Sequence, residues 1–168
     1  MKFLKPQPLT AEAFRPFGRV IQPHEPLPTK TGENWICFSG CDKLWPDASL
    51  AIGIVDCGHC PEISALEAHV SREELLWAGV DDLVMAVDLP TDLTDPDRKP
   101  SIETTVLFHI PAGAAVIIAK GTWHSPAFTL NGASRYYFLV EDKKDAIDQD
   151  DAPWIAFREG GCFTVCTE

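Results

Sequence analysis

The chain predicts an all-β fold, a sandwich or small barrel of short strands, and three observations carry the prediction. Runs rich in Val, Ile and Phe recur along the sequence, at roughly the 8–12-residue spacing of all-β domains, with turn signals between them. Breakers are dense, with 14 prolines and 11 glycines in 168 residues, which suits turns and short strands. Helical patterning is confined to two short stretches, Thr10 to Phe14 and, less clearly, Arg72 to Trp77.

In chain order, Thr10-Ala11-Glu12-Ala13-Phe14 reads as a short helix capped by Thr10 and stopped by Pro16 and Gly18. Val20-Ile21 opens the first extended segment, and Pro23 to Gly32 reads as a loop. Strands are expected at Trp35 to Phe38, Leu50 to Val55 and Ile63 to Val70. Another is expected at Leu83 to Leu89, where Leu83, Met85, Val87 and Leu89 share a face. Pro90 to Pro100 is a polar turn region. Thr105 to Ile110 and Ala114 to Ala119 follow, joined by Pro111-Ala112-Gly113 as in a hairpin. Tyr136 to Val140, Trp154 to Phe157 and Phe163 to Val165 complete the strands, with the acidic stretch Glu141 to Asp151 as a solvated loop. No internal repeat or second domain is visible, so a single domain over residues 1–168 is expected.

Composition narrows the function classes. A hydrophobic fraction of 45% suits a packed globular chain. A formal charge of −11 opposes a nucleic-acid partner and an anionic membrane surface. Met1 to Pro6 lacks the apolar stretch of a signal peptide, and Val106 to Ala119 is broken by His109, Pro111 and Gly113. A soluble cytoplasmic protein is therefore expected, with its six cysteines as thiols.

The chemistry-bearing residues are Glu67, His69, Glu74 and His124. Residues two apart on a strand face the same side, so Glu67 and His69 project together. Glu74 follows after a short turn, and a barrel would bring His124 beside the early strand. Two imidazoles and two carboxylates suit one divalent transition metal ion. The alternative is a pair of hydrogen-bonded interior histidines without an ion.

These spacings resemble the two cupin motifs. Gly113, Ala119, Gly121 and His124 keep the spacing of the second, with Ala119 in place of its proline and Phe128 in place of its asparagine. In the first, Glu67 stands for a histidine, His69 and Glu74 match, and Gly79 lies two residues short of the closing glycine. Within cupins, the opening Pro8 to Ile21, the pair Glu67 and His69, and Lys120-Gly121-Thr122-Trp123-His124-Ser125-Pro126 are similar to segments of the ureidoglycolate lyase family. Two departures are Ser125, where that family has a second histidine, and Glu74, where it often has glutamine. The resemblance implies a cupin-type jelly-roll barrel with a short N-terminal helix and release of urea from ureidoglycolate to give glyoxylate. It implies Glu67, His69, Glu74 and His124 as catalytic residues or metal ligands, and a small-molecule substrate. Lys120 and Arg135 are candidate carboxylate anchors and Trp123 a candidate pocket wall. The expected assembly is a homodimer. A metal-dependent cupin isomerase or oxygenase acting on a small polar acid or sugar acid, and a non-catalytic ligand-binding cupin, stand as alternatives.

Other motifs read as structural. Cys57-Gly58-His59-Cys60 has the spelling of a disulfide-exchange pair but leaves a strand and runs into Pro61, without the helix start that lowers a thiol pKa. Cys37 with Cys41 and Cys162 with Cys166 are spaced by three, which alternates badly along strands for a zinc site. Asp148 and Asp150 lack the glycine and distal glutamate of a calcium loop. His24 sits in a Pro-rich loop and His109 in an apolar strand, where a satisfied core histidine is expected.

Overall fold

The computed structural model describes residues 2–22, 28–44, 46, 49–92, 94–141 and 151–166. The expectations for His24, for part of the 23–32 loop and for the acidic stretch with Asp148 and Asp150 lie outside the described residues. The described chain is mostly β. It begins with β1 (Lys2–Leu4), β2 (Gln7–Pro8), α1 (Ala11–Phe14) and β3 (Gly18–Val20). It continues through β4 (Lys30–Gly32), β5 (Trp35–Cys37), β6 (Leu50–Gly58), β7 (Glu62–Ile63), β8 (Ala65–His69) and β9 (Glu74–Ala78). Then come β10 (Leu83–Asp88), β11 (Val106–Ile110), β12 (Ala115–Ile118), β13 (Trp123–His124), β14 (Ala133–Glu141), β15 (Asp151–Ala156) and β16 (Phe163–Val165). Thr10 caps α1 as the sequence predicts, its hydroxyl oxygen accepting the Ala13 N–H at 3.1 Å.

Two sheets organise the molecule. One has six strands in the order β15-β8-β13-β10-β11-β2, the other five in the order β3-β12-β9-β14-β6. The main core lies between them, with Met85, Val87 and Phe108 of the first sheet against Leu76, Val116 and Tyr136 of the second, and Phe14 of α1 closing one side. A second core covers the far face of the six-stranded sheet, where Leu66, Ala86 and Trp123 meet Ile63 of β7 and Phe163 and Val165 of β16. The short sheet β1-β16-β7 roofs that core.

This double coverage explains β10, every residue of which is buried. Leu83, Met85 and Val87 enter the main core, while Val84 and Ala86 enter the other. A strand apolar on both faces belongs in the middle of a sandwich.

The structure departs from expectation in two respects. The described strands form open sheets, and no ladder among them closes a barrel. The 72–77 stretch is not helical but forms β9, paired on both sides by β12 and β14. Its alternation decides the matter, because Leu76 and Ala78 are buried while Trp77 is 53% exposed. On that outer face Ile52 and Ile54 of β6 are also exposed, and Tyr137 of β14 lies 6.0 Å from Trp77 between ring centroids.

Candidate functional site

Strand alternation assembles the site. In the antiparallel pair β8–β13, His124 lies directly opposite Glu67, and Trp123 opposite Ala68. Leu66, Ala68 and Trp123 fill the second core, so Glu67, His69 and His124 project into the space between the sheets. Glu74 arrives from the facing sheet. It shares the inner side of β9 with Leu76 and Ala78, both in the main core. A fork from Arg19 of β3 holds the adjacent Glu73, with contacts of 2.7 and 3.2 Å, and the same guanidinium grips Asp42. The turn that delivers Glu74 is thereby braced.

The four side chains converge. His69 Nε2 is 2.9 Å from Glu74 Oε2, and His124 Nε2 is 3.9 Å from Glu67 Oε1. The imidazole centroids lie 5.2 Å apart. Ligand atoms of Glu67, His69 and His124 all fall within 4.8 Å of one another, a grouping that could hold a metal ion.

The tautomer of His124 tests the fit. Its Nδ1 is 3.0 Å from the Thr122 carbonyl oxygen. A carbonyl only accepts, so Nδ1 carries a proton and, in the neutral ring, Nε2 presents its lone pair. That Nε2 is buried without a hydrogen-bond partner among the described residues. Leaving a buried acceptor unmet costs about 1–3 kcal/mol. A cation between Nε2 and Glu67 would satisfy it, with the Nδ1–H bond to the backbone orienting the ring as metal-bound histidines require. The residues fit a divalent ion with nitrogen and oxygen ligands.

Glu74 is buried, and burial alone would raise its pKa. The hydrogen bond from His69, the neighbouring imidazoles of His124 and His69 and the Arg72 guanidinium outweigh this and hold the carboxyl below its usual range. It stays ionised.

Tyr136 is an inner-face neighbour of the cluster that sequence reasoning missed. It is 4% exposed and belongs to the main core, on the inner face of β14. Burial first, then the negative charges of Glu74 and Glu67, push its hydroxyl pKa up, so the phenol keeps its proton. The usable signal was alternation within Tyr136-Tyr137-Phe138-Leu139, but both faces there are apolar and the pattern alone does not choose between them.

The remaining candidates lie elsewhere. Trp123 does not wall the site. It is fully buried on the opposite face of its strand, with its indole N–H donating to Thr91 Oγ1 at 3.2 Å. Adjacent strand residues point to opposite sides, so the neighbour of an inward histidine faces away. Arg135 does not reach the site either. It neighbours inward Tyr136, projects outward, and pairs with Asp56 at 2.6 Å. Lys120 is exposed and lines a cavity of about 220 Å³ with Arg72, Glu73 and Glu141, near the β8–β9 turn. Ser125 accepts the Ala86 N–H at 3.0 Å through its hydroxyl and serves the sheet rather than the cluster.

The other motifs stay structural. All six cysteines are free thiols. Burial raises the pKa of Cys57 and of Cys60, the reverse of an activated thiol. His109 is not a core histidine. Its side chain is 37% exposed and its Nε2 lies 2.9 Å from Asp82 at the sheet margin. Among the described residues no cysteine joins a metal-binding group.

No protein-family model matches the chain, and no curated protein matches it.

Proposed function

We propose that this protein is a cupin-type, metal-dependent small-molecule lyase that eliminates urea from ureidoglycolate to leave glyoxylate. The observation that carries the reading is the buried, unmet Nε2 of His124 facing Glu67 beside His69. Glu67, His69 and His124 would hold the ion. When bound, a divalent cation polarises a substrate hydroxyl and carboxylate together.

The reaction needs one proton moved. The hydroxyl of the hemiaminal carbon loses its proton, the carbon–oxygen double bond forms as the carbon–nitrogen bond breaks, and the leaving urea nitrogen gains a proton. Glu74, ionised and fixed by His69, takes the proton from oxygen and returns it to nitrogen. The neutral Tyr136 hydroxyl on the same inner face offers a hydrogen bond to the oxygen.

The direct test is metal analysis of the purified protein together with glyoxylate release from ureidoglycolate. Stoichiometric divalent metal, with turnover abolished by a chelator and by Glu74→Gln, is the expected outcome. Metal-free protein that turns over the substrate, or metal-loaded protein that does not, would count against the reading.

A further inference from the structure

We infer that the ligand of this cluster carries an apolar or aryl body, which lies in a cleft opening between the two sheets beside Glu67. The inference rests on the proposed metal site and extends its substrate beyond ureidoglycolate, which carries no apolar body, to larger acids of the same kind. The cleft measures about 540 Å³, within the range of small-molecule sites. Val55 and Cys57 of β6 line it, and both pack against the main core, which places it on the inner side of the sandwich. Ala65 of β8 lines it too. Ala65 is two residues from Glu67 on the same strand face, about 7 Å away, so the cleft begins one side chain from the cluster.

Tyr136 ties the two spaces together. It pairs directly with the cleft-lining Val55 across β14–β6, and its ring lies in the main core with Leu76 and Ala78, the neighbours of Glu74 on the inner side of β9. The chemistry of the walls sets the ligand class. The half-exposed Trp154 supplies aromatic surface beside Val55 and Ala65, and no lysine or arginine lines the cleft, whereas Asp56 and Glu62 do. The imidazole on its wall, His59, already turns Nδ1 to the Thr129 carbonyl oxygen at 3.4 Å, so an acid group is better placed at the cluster. A wholly polar acid would leave the apolar wall facing water. A 2-hydroxy acid, or a ureido derivative of one, bearing an alkyl or aryl substituent meets both requirements.

The test is calorimetric titration of the full chain in excess manganese with two series: glycolate, 2-hydroxybutanoate and 2-hydroxyhexanoate, and the neutral alcohols ethanol, butanol and hexanol. Affinity should rise about threefold to fourfold per added CH₂ in both, the effect of burying one methylene. Ala65→Phe should flatten both series while leaving glycolate and manganese binding unchanged. Trp154→Ala, at an exposed position that does not threaten folding, should weaken the six-carbon ligands and spare glycolate. Flat affinities in both series with glycolate bound would overturn the inference and leave the metal reading standing. Alcohols that gain with length while the acids do not would overturn a ligand spanning both spaces, and absence of glycolate binding would additionally remove the head-group reading. A chain-length gain that survives both substitutions would place the chain elsewhere and also overturn it.

Discussion

Replacing His124 by alanine separates a metal ligand from a structural core histidine, and the structure sets the magnitudes. Without metal, the substitution removes the hydrogen bond to the Thr122 carbonyl, a loss of about 0.5–1.5 kcal/mol. It also leaves some unfilled space, because the residue is buried. Against these stands the removal of an unmet buried Nε2, whose desolvation costs about 1–3 kcal/mol. The opposing terms leave the metal-free variant within the ordinary range of about 0.5–3 kcal/mol of the parent. The metal-dependent term is different in kind. A ligand at a hundred times its Kd stabilises the folded state by about 2.7 kcal/mol, which for a chain of this size raises Tm by about 5–11 °C. Differential scanning calorimetry with zinc or manganese, and again with chelator, reads both terms on each protein. The parent should show the metal-dependent rise and His124→Ala should lose nearly all of it while keeping a cooperative transition. A variant that keeps the full rise would remove His124 from the site. Marked destabilisation of the metal-free variant, with the rise intact, would establish the core-histidine reading instead.

Three further outcomes are expected. Metal binding should weaken toward acid pH, because both imidazoles must present a lone pair to the ion and protonation competes; an affinity that does not change with pH in isothermal titration would speak against histidine ligation. The double change Cys57→Ser with Cys60→Ser should leave turnover within a few-fold, since burial raises both thiol pKa values, and a hundredfold loss, about 2.7 kcal/mol of transition-state stabilisation, would restore a thiol role. The homodimer expected from the sequence has an apolar face available on the outer side of the five-stranded sheet, where Ile52 and Trp77 are exposed; Ile52→Glu with Trp77→Glu should yield a monomer by sedimentation, and a parent that sediments as a monomer at micromolar concentration refutes the assembly.

What could be read in the sequence, and what could not, follows from how strand periodicity works. The pairing of Glu67 with His69 was legible because a period of two is local. The inward row Leu83, Met85 and Val87 was legible for the same reason, but Val84 and Ala86 are buried as well, and no local pattern announces a second core. Glu74 was identified by spacing, yet its position depends on β9 crossing to the facing sheet, between β12 and β14. The hint of a helix at 72–77 concealed that crossing. Trp123 was misplaced by reading proximity in sequence to His124 as proximity in space, and Arg135, offered as a carboxylate anchor, is turned away by the same periodicity. The period that sends Glu67 and His69 inward sends Trp123 into the second core and Arg135, beside Tyr136, to the outer face. Tyr136 stayed hidden because Tyr137 and Leu139 make the other face of β14 apolar too. Its inward orientation is settled by tertiary packing, with the ring in the main core and its hydroxyl in the field of two carboxylates. The inward pair Glu67 and His69 on β8 was therefore open to local reading, whereas the partnership of β8 with β13, which brings in His124, was not. The facing wall that supplies Glu74, Tyr136 and the cleft depends on which sheet each strand joins, a non-local fact that only the folded chain displays.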